Sequence, residues 1–258
     1  MKHLLIIGIG AGNPDHITLQ AVKALNQADV FFLMDKGPHK QALNDLRHTL
    51  LAQHITHPDY RVVQSPSPER QQAGDDYLNR VEHLNAEKQR LYEQLIDKEL
   101  KDGECGAFLV WGDPSLYDST LRIISAIVAS GRYRLSYEVI PGITSVQALT
   151  AQHKVTLNQI GQPLQITTGR RLAQGLPDHV ESVVVMLDAD QAFMHLLDQD
   201  LDIYWGAYLG TADEVLIAGK LQDVAEKIEQ VRAEARLAKG WIMDTYLLRR
   251  RQPKRKTP

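Results

Sequence analysis

The chain of 258 residues is 43% hydrophobic and 24% charged, a composition that excludes an intrinsically disordered protein and suffices for one large core or two ordinary ones. Its net charge is −3, and because residues 249–258 hold six Lys or Arg and no acid, the body carries −9. An acidic body argues against a nucleic-acid backbone as partner, and the basic end reads as a solvated, disordered tail.

The first elements follow a strand–helix alternation. His3 to Ile9 is an unbroken apolar run closed by glycines, as in a strand buried on both faces of a parallel sheet. Its apolar length is too short for a signal-peptide core or a membrane span, so a soluble, unprocessed protein is expected. Ile17, Ala21, Ala24, Leu25 and Ala28 recur at helical spacing behind Thr18 or Asp15 as cap. Val30 to Met34 is a second buried strand. Leu43, Leu46, Leu50 and Leu51 mark a helix, Arg61–Val63 a short strand and Ser65–Pro68 a break. A long amphipathic helix is predicted from about Asp75 to Lys101, and a strand over Ala107–Trp111.

Beyond Gly112 the pattern restarts with a helix through Leu121, Ile124, Ile127 and Val128, a strand at Tyr137–Ile140 and a helix after Pro141-Gly142. Strands follow at Leu164–Thr168, Val183–Leu187, Ile203–Leu209, Glu214–Gly219 and Trp241–Leu248, with fewer helices between them. The expectation is two α/β domains: residues 1–113 around a mostly parallel sheet, residues 114–248 around a mixed sheet, then the tail. Cys105 is the only cysteine. It excludes an intrachain disulfide and a cysteine metal cluster, fits a reducing, cytoplasmic compartment, and reads as a buried strand residue rather than a reactive thiol.

Gly8-Ile-Gly10-Ala-Gly12-Asn-Pro14 follows the first strand, where glycines let a backbone approach a ligand closely. A dinucleotide site is the obvious rival, with Asp35 on a ribose. Against it, Asn13 stands where a third glycine belongs and Pro14 removes an N–H donor at the place for a pyrophosphate. The ten histidines are scattered without HxH or HxxxH spacing, and none stands out as catalyst or ligand.

Three further segments, Val110–Asp118 (VWGDPSLYD), Val139–Val146 (VIPGITSV) and Tyr208–Asp213 (YLGTAD) ahead of Gly219, resemble, together with the Gly8–Pro14 loop, the tetrapyrrole methylase family from about Lys2 to Leu248. A narrower likeness, carried by Ile17–Leu25, Asp29–Gly37 and Trp111–Thr120, is to members that methylate precorrin-5 at ring carbon C1 with loss of acetate in cobalamin biosynthesis. The resemblance implies two α/β domains with S-adenosylmethionine in the cleft between them, S-adenosylhomocysteine as product, and a homodimer. The cofactor contacts it implies are Pro14, Gly112, Asp113, Leu116, Thr144, Ser145, Met186, Tyr208 and Ala212.

Methyl transfer from a sulfonium needs alignment and exclusion of water rather than a metal. Asp113, at a strand end, is the candidate catalytic carboxylate, accepting from the cofactor's amino group or lying near the sulfonium, though Asp-Pro also suits a plain turn; Tyr117 is a second candidate for the cleft. Lys36, Arg122, Arg170 and Arg171 are candidate cations for the carboxylates of a tetrapyrrole. The rivals are methylation of another precorrin, of RNA or of a modified histidine of a translation factor on the same fold, a non-enzymatic tetrapyrrole carrier, and an NAD-dependent oxidoreductase.

Overall fold

The computed structural model describes residues 1–35, 37, 41–68 and 77–251. They form two compact units, Met1–Thr144 and a second beginning at Ser145.

The first unit is a five-stranded sheet of β1 (Lys2–Gly8), β2 (Val30–Asp35), β3 (Arg61–Pro66), β4 (Cys105–Val110) and β5 (Leu135–Ile140). Its spatial order is β3-β2-β4-β1-β5 and every pairing is parallel. Four helices cover it: α1 (Leu19–Leu25), α2 (Gln41–His54), α3 (Tyr77–Glu99) and α4 (Thr120–Ala129). The alternation of β1 explains both layers. Leu5 and Ile7 pack with Ala21 and Leu25 of α1 and Leu50 and Leu51 of α2, whereas Leu4 and Ile6 face Tyr92 and Ile96 of α3 and Ile123, Ile124 and Ile127 of α4. Of the two proposed caps, Thr18 starts α1, its hydroxyl accepting from the Ala21 N–H at 3.0 Å.

The division between units falls after Thr144, not at Asp113. Residues 114–144 stay with the first unit because β5 hydrogen bonds along β1 from Lys2↔Leu135 to Ile7↔Ile140, and α4 closes that face.

The second unit holds β6 (Leu164–Thr168), β7 (Ser182–Met186), β8 (Leu201–Ala207), β9 (Val215–Lys220) and β10 (Asp244–Arg250), with α5 (Ser145–His153), α6 (Gly169–Leu172) and α7 (Leu221–Lys239). Its order is β6-β7-β10-β8-β9. β6 and β7 pair in parallel and the rest antiparallel, giving the expected mixed sheet. The hydrophobic pattern missed the short α6 and also α7, which is 19 residues long. Its buried stripe is Leu221, Ala225, Ile228 and Arg232, so a small residue and a cation stand where the pattern seeks large apolar groups.

Arg232 is buried because it is paired. Its Nε lies 3.0 Å from Asp244 Oδ2, and a second nitrogen donates to the Asp188 carbonyl at 2.7 Å. Asp244 also accepts from the Trp205 indole at 3.0 Å, and the Asp188 carboxylate accepts from Tyr246 at 2.6 Å and from the Ala192 N–H at 2.8 Å. These bonds satisfy polar groups that would otherwise be costly inside a core containing Trp205, Phe193 and Tyr246.

The basic end is not tail throughout. Arg249 and Arg250 belong to β10, and Arg250 donates to the Val180 and Pro177 carbonyls. The Arg251 guanidinium lies 3.3 Å from Asp202. Residues 252–258 lie outside the described residues.

Candidate functional site

In the first unit the chain leaves β1 through α1 toward β2 and leaves β4 through α4 toward β5, in opposite directions from two neighbouring strands. The carboxyl ends of β1 and β4 are therefore a topological switch point, where open parallel sheets hold ligands. The loops there carry Gly8 to Pro14 and Gly112 to Tyr117.

Backbone crowding assigns the glycines. A methyl group at Gly8 would lie 2.6 Å from the Gly142 nitrogen, and one at Gly142 would overlap the Gly112 carbonyl oxygen. These two positions exist for chain-to-chain packing, which corrects the reading of the whole loop as an approach to ligand. Gly10 and Gly112 exchange N–H···O bonds as a bridge between the loops, with N···O distances of 2.8 and 3.4 Å. Gly112 differs: its φ is +71°, and a Cβ there would meet only Thr144, at 3.7 Å or more. Its own backbone is buried and packs at ordinary contact distance beside the buried Thr144.

The Asp113 carboxylate spans the loops. One oxygen accepts from the Gly142 N–H at 2.8 Å, and the other accepts from the Ser115 N–H at 2.8 Å and from the Ser115 hydroxyl. Burial pushes this carboxyl upward, but the Ser115 side chain and the N–H groups of Gly142 and Ser115 outweigh it, so the group sits below its ordinary value and is ionised at neutral pH. The Asp-Pro turn is thus formed, and its three donors leave acceptor capacity on the carboxylate.

Leu116 turns back toward Asp113, donating its N–H to the Asp113 carbonyl at 3.3 Å. Tyr117 is 46% exposed and sits at φ +51°, an unfavourable conformation for an aromatic residue and one concentrated at functional loops. Pro14 opens a short 3-10 turn, Pro14–His16, whose cap Asn13 accepts from the Asp15 N–H at 2.9 Å. No helix start faces the loop, because α1 begins only at Leu19, and β4 intervenes between β1 and β2. Both features depart from a dinucleotide fold, where those strands adjoin and the loop feeds a helix.

In the second unit Ser145 starts α5 and its hydroxyl lies 3.0 Å from that of Thr245. Met186 ends β7 beside Leu187, which has φ +54° and is 65% exposed. Tyr208 is 2% exposed and its phenol donates to the Trp241 carbonyl at 2.6 Å, so this side chain is committed to the core. Its backbone is also engaged, with the N–H donating to Met243 and the carbonyl accepting from Thr211. Ala212 is exposed in the same loop.

Residues 3–225 match the family model described as Tetrapyrrole (Corrin/Porphyrin) Methylases. The chain belongs to the tetrapyrrole methylase family. A relative from Sinorhizobium sp, named precorrin-6A synthase [deacetylating], is 49% identical over 250 residues, covering 97% of this chain and 96% of its own. The crystal structure of a cobalamin synthesis related protein, CobF, from Corynebacterium diphtheriae superposes with a TM-score of 0.83 at 37% identity, covering 96% of this chain and 98% of that one. A uroporphyrin-III C-methyltransferase from Thermus thermophilus, complexed with S-adenosyl homocysteine, shares the fold at TM-score 0.58 and 19% identity, covering 95% of this chain and 96% of that one.

For a methylase of tetrapyrroles, the expected substrate cations divide. Arg122 on α4 and Arg170 and Arg171 on α6 are exposed, Arg171 donating to Gln174 at 2.9 Å. Lys36 lies outside the described residues. Two cations that pattern reading passed over, Arg47 and Lys88, sit inside the first unit. The signal was available: Arg47 falls four residues after Leu43 and three before Leu50, on the buried stripe of α2, and Lys88 falls between Leu84 and Tyr92 on that of α3. Cys105 is half-buried, and burial, with Asp29 and Glu138 nearby, pushes its thiol up to about 11, so at neutral pH it is not a nucleophile.

Proposed function

We propose that this methylase binds S-adenosylmethionine and methylates precorrin-5 at C1, with loss of acetate, to give precorrin-6A in cobalamin biosynthesis. The observation that carries this reading is the 49% identity, over nearly the full length of both chains, to a relative named precorrin-6A synthase [deacetylating].

The first unit's loops fit the cofactor. Gly112 offers a left-handed backbone, Thr144 packs against it, and Asp113 supplies a fixed negative charge. Pro14 and Leu116 complete the contacts on this unit, and Ser145, Met186, Tyr208 and Ala212 enter the proposal through the family resemblance. With its ring buried and its N–H and carbonyl both bonded, Tyr208 shapes the loop that carries Ala212. When bound, the cofactor supplies an electrophilic methyl group on a sulfonium.

The chain's own part is positional and electrostatic. The Gly112 and Gly142 loops, locked by Asp113, are preorganised, which lowers the entropic barrier of an in-line displacement. The Asp113 carboxylate favours a cation before transfer and releases the neutral thioether after it. Tyr117, its phenol raised above its ordinary value by partial burial, stays a hydrogen-bond donor at neutral pH. Homodimeric assembly and a cytoplasmic location belong to the same proposal. The lone cysteine suits a reducing compartment, and no described helix is long and apolar enough to cross a membrane.

Incubation with precorrin-5 and methyl-labelled cofactor, read by mass spectrometry, tests the reading. One added methyl and one equivalent of acetate are expected. Methylation without acetate release, or release without methylation, would reassign the substrate.

A further inference from the structure

Strands β2 and β4 pair only from Val30↔Gly106 to Phe32↔Phe108. Beyond that point β2 continues along β3 to Asp35 and β4 continues along β1 to Val110, so the sheet splits at its carboxyl end. Arg47 enters the split. It is 6% exposed, and its Nε donates to the Leu109 carbonyl at 3.4 Å, a group whose partner strand has diverged. A cavity of about 70 Å³ lies there, lined by Arg47, Lys88, Tyr92, Trp111, Asp118 and Thr120 among others.

The lining is rich in donors. The Trp111 indole nitrogen is buried and has no hydrogen-bond partner. The Lys88 ammonium donates to the Ser119 hydroxyl at 3.2 Å. Among the described residues neither Arg47 nor Lys88 lies within ion-pair distance of a carboxylate. One Asp118 oxygen is already held by the Thr120 N–H at 2.6 Å. Tyr92, pushed up to about 12 chiefly by burial, is neutral. Among the described residues two cations face one anion, an imbalance that is costly away from water unless an anion completes it.

We infer that the split between β2 and β4 is a subsite for one small carboxylate of the reaction. Its volume is that of about two waters at roughly 30 Å³ each, which suits a carboxylate group and excludes a macrocycle. Arg47, Lys88 and the Trp111 N–H supply charge-assisted and neutral hydrogen bonds to it. The inference rests on the proposed reaction for its choice of carboxylate, which comes either from a side chain of the tetrapyrrole or from released acetate.

The test titrates ¹⁵N-labelled full-length protein with sodium acetate at constant ionic strength and follows the Trp111 indole N–H, assigned by its loss in Trp111→Phe. A saturable shift with acetate and none with acetamide is expected. Lys88→Gln is expected to weaken acetate at least about tenfold and Lys88→Arg to retain most of it. S-adenosylhomocysteine binding, measured in parallel, separates this result from the cofactor reading: a chain that binds acetate but not S-adenosylhomocysteine sinks that reading and leaves the subsite. Inhibition of methyl transfer by acetate that is competitive with the tetrapyrrole identifies a substrate carboxylate, and noncompetitive inhibition identifies released acetate. Absence of a saturable shift, an equal response to acetamide, unchanged affinity in Lys88→Gln, or full turnover at saturating acetate would each overturn the subsite.

Discussion

The Asp113 carboxylate accepts a hydrogen bond from the Gly142 N–H at 2.8 Å, joining the loop after β4 to the loop after β5 across the end of β1. This bond and the two from Ser115 hold Asp113 ionised, so one side chain both rigidifies the switch point and charges it.

Asp113→Asn is expected to weaken S-adenosylhomocysteine binding by about 1–3 kcal/mol, the cost of an impaired charged acceptor, as calorimetry will show. The pH dependence has a defined sign. The folded value lies below the ordinary one, so the stabilisation is fully present above the unfolded value of about 3.9 and is lost as pH falls through the folded value. The melting temperature of the wild type should lose this contribution only in the acid limb, and Asp113→Asn should flatten that loss. Undiminished affinity in the variant would leave Asp113 a structural tie alone.

Gly142→Ala places a methyl group against the Gly112 carbonyl oxygen and within 3 Å of the Gly8 backbone, where neither neighbour is a flexible side chain. Destabilisation of about 1–3 kcal/mol or more is expected from overpacking. Gly131, at φ +69° with nothing within 4 Å of a Cβ, serves as the comparison, since alanine there costs only the left-handed conformation, about 1–2 kcal/mol. Urea unfolding of the two variants checks the order. Equal losses would show that the end of the sheet opens readily.

The alternation of β1 and the glycine punctuation made the parallel sheet and the Gly112 loop legible in the sequence, because burial on both faces leaves an unbroken apolar run. Asp113 was legible as a residue at a strand end, but its bonds to Gly142 and Ser115 were not, since a tie between loops 29 residues apart leaves no periodic trace. Arg47, Lys88 and Arg232 were missed for one shared reason: each is a cation on the buried stripe of a helix, and each has at least one acceptor on a distant segment, Arg47 also bonding Leu43 and Asn44 of its own helix. Pattern reading assigns charge to the solvent face and so overlooks the polar groups most tightly held.

Tyr246→Phe removes the 2.6 Å donor to Asp188 and leaves that buried carboxylate with the N–H groups of Ala192 and Asp190, so a loss of about 1–3 kcal/mol is expected. Burial first, then Asp188, raises the phenol well above its ordinary value. Its contribution is therefore present below the unfolded value of about 10 and disappears as pH rises toward the folded one. Alkaline unfolding should be less steep in Tyr246→Phe. A variant as stable as the parent at neutral pH would mean that water replaces the phenol.

Arg232→Met tests the buried pair in the second unit. Arg232 and Asp244 side chains are 7% and 6% exposed, and removing the cation leaves a carboxylate held by the Trp205 indole alone among the described side chains. A loss of about 3–5 kcal/mol at neutral pH is expected from the uncompensated charge. Burial already raises Asp244 above its ordinary value, with Arg232 opposing it, so loss of the cation raises it further. A raised carboxyl is disfavoured only once it must ionise, so the penalty grows as pH climbs above about 3.9 and shrinks in acid, where Asp244 takes up a proton. Chemical denaturation at pH 7.5 and pH 4.5 should show the gap between parent and variant narrowing at the lower pH, and a gap independent of pH would mean that Arg232 acts through packing and its bond to the Asp188 carbonyl.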